Sequence, residues 1–237
     1  MAAVIDRTLD LAQRTIGDLT RPRFLKQMVW AFGYWVVMCL ILYTNIQIMK
    51  DLFPNPPQPP DLMFKYLPEM KIFIPISEGL ISFHILLVLF ILWQGRFEEL
   101  PKVVFLVVTM YVIRAFTIIL TPLGQIQDPS VNFSESHILA QTFYQGMYFS
   151  GHTGITFTTA FYLKGRRLRP VLFLLASAQG FSLVASHSHY TIDIVGAIFV
   201  AYFVSHFDFM RLVPDRLRDV PWLPWYDDTA NEDPVRD

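Results

Sequence analysis

The chain has 237 residues, of which 53% are hydrophobic and 16% charged, and its net charge is −1. A soluble domain carries about a quarter charged residues, so this balance excludes an ordinary soluble globule and points to a membrane protein. The near-zero net charge gives no basis for nucleic-acid binding, and the single cysteine, Cys39, lies in an apolar run and cannot close an internal disulfide.

Residues 1–27 form a polar, mildly basic lead. Its apolar positions Val4, Ile5, Leu9, Leu11, Ala12 and Ile16 suit an amphipathic helix on a membrane surface as well as a partly ordered tail. The first apolar run starts too late and is too long for a signal peptide. It covers Met28–Met49 without a charge, and a helix needs about 20 such residues to cross a bilayer core. Further runs follow at Ile72–Trp93, Val103–Leu123, Ser150–Lys164 (short, led by aromatic-rich 143–149), Val171–His187 and His189–Asp208. The expected fold is an all-α membrane protein, a six-transmembrane-helix bundle occupying 28–208, with a mixed, acidic tail at 209–237. The loop 51–68 holds six prolines and reads as an extended outer segment.

Loop charge sets the orientation. The lead, the loops at 94–102 and 164–170 and the tail together carry fifteen Lys and Arg, against Lys50, Lys65 and Lys71 on the other side. The positive-inside rule then makes both termini cytoplasmic. The outer ends of the fourth and sixth segments face periplasm, lumen or cell exterior.

Those outer ends hold the candidate chemistry. His189 and Asp193 are four residues apart, so a helix already begun at His189 carries them on one face. The carboxylate then fixes one imidazole nitrogen and leaves the other as a nucleophile. An aspartate is costly inside a membrane, which moves the default reading from structure to function. Ser150 suits a helix N-cap, Gly151 lets backbone approach a ligand closely, and free N–H groups at a helix start bind anions. His152 there stands beside a bound phosphate, suited to protonate a leaving oxygen. His187 is a candidate for proton traffic or a plain interfacial residue; His84 and His206 read as structural. Arg114 and Glu78 lie at matching depth, about 10 Å below the outer boundary. Two readings stand for Arg114: an ion pair with Glu78, or contact with the substrate phosphate. Glu135 is a weaker auxiliary candidate. No metal-ligand cluster is visible.

Several blocks resemble a known family. Ser150-Gly151-His152 and His189…Asp193 resemble the lipid phosphate phosphatase superfamily. Tyr148-Phe149-Ser150-Gly151-His152-Thr153 and Ser186-His187-Ser188-His189-Tyr190-Thr191-Ile192-Asp193 resemble, more closely, the sphingomyelin synthase family within it. Tyr111…Arg114…Thr117…Thr121-Pro122-Leu123, Pro59-Pro60-Asp61 and Ser77-Glu78 fit further blocks of that family. The resemblance implies a six-helix fold with cytosolic termini and a catalytic set of His152, His189 and Asp193, with Ser150, Gly151, Arg114, Tyr148 and Tyr190 around the substrate. It implies transfer of phosphocholine or phosphoethanolamine from a phospholipid donor to a lipid-hydroxyl acceptor, ceramide or diacylglycerol, in the bilayer and without a metal or cofactor. A lipid phosphatase or phospholipase using water is the alternative, and a non-catalytic membrane protein on the same fold is the second. Two departures bear on the substrate. The family's Cys-Gly-Asp is Tyr144-Gln145-Gly146 here, and Leu183 stands where the wider superfamily places an arginine. Fewer cations near the site suit a singly charged phosphodiester better than a phosphomonoester dianion. Aromatics such as Tyr148 suit either a quaternary ammonium or interfacial packing.

Overall fold

The structure, a computed structural model, describes residues 2–95, 97–124, 126, 148–163, 167–212, 214 and 216. Among these residues all regular structure is helical. α1 spans Ala2–Thr20 and α2 Pro22–Leu52. Between them Arg21 is extended, and Pro22 starts α2 with its ring-fixed φ. The helix therefore begins well before the Met28 boundary set by apolarity, and the lead is helical at Ala2–Thr20. α2 ends at Leu52, two residues before Pro54.

The outer loop is not wholly extended: α3, Leu62–Tyr66, forms within it, because Asp61 Oδ1 accepts the Met63 N–H at 2.8 Å and starts a turn. α4 (Phe73–Gln94) stops at Gly95, and α5 (Leu100–Leu120) follows a 3-10 turn with Pro101 in its first turn. α6 (Gly151–Tyr162), α7 (Arg169–Ala185) and α8 (Thr191–His206) complete the bundle. Three segments, Pro22–Met49, Phe73–Gln94 and Phe97–Leu120, are long and apolar enough to cross a membrane. α7 and α8 are shorter apolar helices, and α6 has only 12 residues.

The packing is inverted relative to a water-soluble protein. Large apolar side chains face outward along the long helices, including Val29, Phe32, Leu40, Leu86 and Phe199, whereas Arg114, Thr153, Thr156, Gln179, Ser182 and Asp193 are buried. Exposed apolar surface on this scale needs lipid as its partner. Inside, Met38, Leu42 and Ile46 of α2 pack on Val108, Ala115 and Ile118 of α5, and buried Asn45 donates to the Ala115 carbonyl at 2.8 Å. Met110, Phe149, Ala197 and Val204 form the seam between α5, α8 and the strand of chain leading into α6.

Helix direction collects the candidate residues at one end. α4, α6 and α8 start there, and α5 and α7 finish there. Several basic side chains lie at the other end, where Arg169 Nε donates to the Ala160 carbonyl at 3.2 Å, Lys102 lies over the Tyr162 ring and Arg21 pairs with Glu98 at 3.1 Å.

Candidate active site

Two sequence blocks meet through their main chains. Ser150 is fully buried and extended, its Oγ accepts the Thr153 N–H at 3.4 Å, and its own N–H donates to the Asp193 carbonyl at 3.2 Å. The start of α6 is thereby fastened to the first turn of α8. Just upstream, α5 holds both preceding carbonyls. Arg114 Nε donates to Phe149 O at 2.7 Å, and Thr117 Oγ1 donates to Tyr148 O at 3.3 Å.

His189 stands in the turn before α8, not on the helix as the four-residue spacing suggested. It still meets Asp193, Nδ1 to Oδ2 at 3.2 Å, because the Asp193 carboxylate folds back over the helix start. The same oxygen accepts the Tyr190 N–H at 3.1 Å. Asp193 is wholly buried, and its Oδ1 has no hydrogen-bond partner among the described residues. One oxygen thus carries two bonds, and it fixes the carboxylate against the imidazole.

His152, in the first turn of α6, faces Glu78 of α4, with Nε2 to Oε1 at 3.4 Å and both side chains substantially exposed. The main-chain bond from Ser150 to Asp193 sets the turns that carry the two imidazoles side by side. Glu78 reaches His152, and Arg114 Nε reaches the main chain beside Ser150.

Gly151 gives close approach, but to protein: a Cβ there would lie 2.8 Å from the Tyr111 hydroxyl oxygen. Tyr148 likewise lies on Gly196, where a Cβ would come within 2.9 Å of its hydroxyl. Tyr190 is 3% exposed and donates its hydroxyl to the Gly124 carbonyl at 3.1 Å, so it braces the wall of the site. His187, at a left-handed φ of 53°, stacks on Phe64 and meets the Leu67 carbonyl through Nε2 at 2.9 Å. It ties the outer segment down and does not face the two imidazoles through that nitrogen. His84, fully buried, contacts Thr159 Oγ1 at 2.8 Å, and His206 contacts the Tyr202 carbonyl at 2.9 Å. Glu135, His137 and the aromatics at 143 and 144 lie outside the described residues. Among the described residues, no three His, Cys, Asp or Glu side chains are grouped to hold a metal.

Asp61, Tyr111 and Thr117 carry structural duties here that residue chemistry alone did not reveal. The available signal was their place in family-like blocks, and for Asp61 its position immediately before a short helix.

Comparison with known proteins agrees with the motif pattern. Residues 147–210, which contain both histidine blocks, match the PAP2 superfamily C-terminal family. A phosphatidylcholine:ceramide cholinephosphotransferase 1 of Caenorhabditis elegans is 26% identical over 208 residues, covering 74% of this chain and 44% of the relative. The chain thus matches under half of that relative's length. With blocks from Pro59 to Asp193 in the family order, the chain is similar to the sphingomyelin synthase family within the PAP2 superfamily.

Proposed function

We propose that the chain is a multi-pass membrane enzyme that transfers a phospho-headgroup from a glycerophospholipid to a lipid hydroxyl, with His189 as nucleophile. The observation that carries this reading is the joining of the His152 and His189 blocks by the Ser150–Asp193 main-chain bond at 3.2 Å, with a carboxylate beside each imidazole. In this reading the apolar runs make six crossings, both termini are cytoplasmic, and the site lies at the non-cytoplasmic rim.

Asp193 accepts from Nδ1–H of His189 and leaves Nε2 to attack phosphorus. The P–O bond to the diacylglycerol breaks as protonated His152 gives its proton to the departing oxygen. The headgroup stays on Nε2, and Asp193 stabilises the resulting imidazolium. Neutral His152 then takes the proton of the acceptor hydroxyl, whose oxygen attacks phosphorus as the P–N bond breaks. Glu78 orients His152. The donor is a phosphatidylcholine or phosphatidylethanolamine and the acceptor ceramide or diacylglycerol.

The test is a headgroup-labelled phospholipid presented in mixed micelles with and without each acceptor. Label on the acceptor, abolished in His189→Ala and His152→Ala, is expected. Free phospho-headgroup formed regardless of acceptor makes the protein a hydrolase, and no turnover with any donor defeats the catalytic reading.

A further inference from the structure

We infer that Asp61 is a positioning residue for the His189–Asp193 pair, acting as an N-cap supplied to α8 from 130 residues away in the chain. This rests on the reading above for its kinetic consequences, but its structural basis is independent of it. Asp61 Oδ2 accepts the Thr191 N–H at 2.6 Å, and Oδ1 accepts from Thr191 Oγ1 at 2.9 Å and from the Met63 N–H at 2.8 Å. One carboxylate therefore starts two helices, α3 and α8.

α8 needs a cap from elsewhere. A helix start leaves its first N–H groups without intrahelical partners, and a short polar side chain at the N-cap ordinarily takes one. The N-cap of α8 is Tyr190, whose hydroxyl is committed to Gly124 and which supplies no local cap. Asp193 covers the Tyr190 N–H, and the first N–H of the helix proper, at Thr191, goes to Asp61. A negative charge at that point also complements the helix dipole.

Thr191 lies between His189 and Asp193, so a frayed first turn moves the imidazole and carboxylate independently. The tether is strengthened nearby, where the Leu67 carbonyl meets His187 and Met70 N donates to the Ala185 carbonyl at 2.9 Å. The segment from Asp61 to Met70 is thus bonded at three places to the stretch from the last residue of α7 to the first of α8. A reaction needing Nε2 of His189 in line with a phosphorus tolerates little error in this geometry.

Replacement by asparagine separates the two caps. Asp61→Asn keeps one backbone bond and opposes the other: its oxygen in the Oδ2 place keeps the Thr191 N–H, and in the Oδ1 place the Met63 N–H. Amide exchange at Thr191 and Met63 reads which cap it keeps. Asp61→Ala loses both.

Full-length wild type, Asp61→Asn and Asp61→Ala are compared in two measurements. The first is amide hydrogen exchange over residues 189–195 by mass spectrometry. The second is kcat, KM and the pH profile of headgroup transfer. Expected for Asp61→Ala are at least fivefold faster exchange, a tenfold or greater loss of kcat with KM within twofold, and an altered acidic limb. Asp61→Asn should lose kcat only to the extent that its exchange over 189–195 quickens. Unchanged exchange in Asp61→Ala, or a tenfold loss of kcat in Asp61→Asn without faster exchange over 189–195, overturns the inference. If His189→Ala retains transfer while Asp61→Ala loosens 189–195, the proposed chemistry fails and the remote cap stands.

Discussion

Replacing Asp193 by asparagine removes a charge without changing shape, and the surrounding bonds predict how the amide sits. Both hydrogen bonds to this side chain end on Oδ2, from Tyr190 N–H at 3.1 Å and from His189 Nδ1 at 3.2 Å. A backbone N–H cannot change its role, so an amide nitrogen placed there would oppose a donor. The amide oxygen therefore takes the Oδ2 place and keeps the Nδ1–H tautomer of His189. The amide nitrogen takes the Oδ1 place, which is buried and without a partner among the described residues. Leaving that donor unpaired costs about 1–3 kcal/mol of stability. A hydrogen bond to a charged group contributes about 1.5–3 kcal/mol against about 0.5–1.5 for a neutral one. Losing the difference, about 1–2 kcal/mol, lowers turnover roughly 5–30-fold. Asp193→Ala, by contrast, frees the imidazole and orphans Tyr190 N–H, and should cost roughly 10³-fold or more, by analogy with the loss seen when a catalytic imidazole loses its correct tautomer. The assay is single-turnover transfer of labelled headgroup, with unfolding in detergent measured in parallel. Asp193→Asn as inactive as Asp193→Ala would refute the orientation argument, and full activity would refute the role of the charge.

Three further substitutions test neighbouring contacts. Gly151→Ala places a methyl 2.8 Å from the Tyr111 hydroxyl oxygen and about 3.1–3.2 Å from its ring; overpacking of this kind costs about 1–3 kcal/mol, and a Tyr111→Phe background should recover part of the lost thermal stability. Arg114→Lys keeps the charge but lacks the Nε donor that holds Phe149 O at 2.7 Å; we expect about 1–3 kcal/mol less stability in detergent unfolding and a turnover loss that added acceptor lipid does not restore. Glu78→Gln removes an exposed partner 3.4 Å from His152; exposed pairs contribute about 0–1 kcal/mol, so kcat should fall no more than about fivefold, and a complete loss would show that Glu78 itself moves protons.

The apolar runs located α4, α5, α7 and α8 closely, because bilayer-spanning length and loop chemistry leave strong marks in a sequence. Pro22, Pro54 and Gly95 mark helix limits by chemistry that a hydropathy run does not register, so α2 came out longer than its apolar stretch. The histidine blocks were legible as chemistry because an aspartate at Asp193 and a Ser-Gly-His at a segment start are unusual in apolar surroundings. The pairing of Glu78 was not. Depth along a helix placed it level with Arg114, but depth says nothing about rotation around the bundle, and rotation put Glu78 beside His152. The bond from the Tyr190 hydroxyl to the Gly124 carbonyl was not legible either, because a motif does not say where a side chain ends.

The residues around the two imidazoles share a feature that explains why the blocks extend well past the chemical groups. Arg114 and Thr117 bond to the carbonyls of Phe149 and Tyr148, Ser150 N–H bonds to the Asp193 carbonyl, and Asp61 bonds to Thr191 N–H. Each contact fixes backbone on one side, and none depends on the identity of the residue whose backbone is held. Side chains at Phe149 and Thr191 therefore serve packing or a hydroxyl bond, while the geometry of the site is set by Arg114, Thr117, Ser150 and Asp61. A site built this way can change its lining without moving the turns that carry His152 and His189. In such a frame the lining side chains are free to vary, and the bonds that hold the main chain are not.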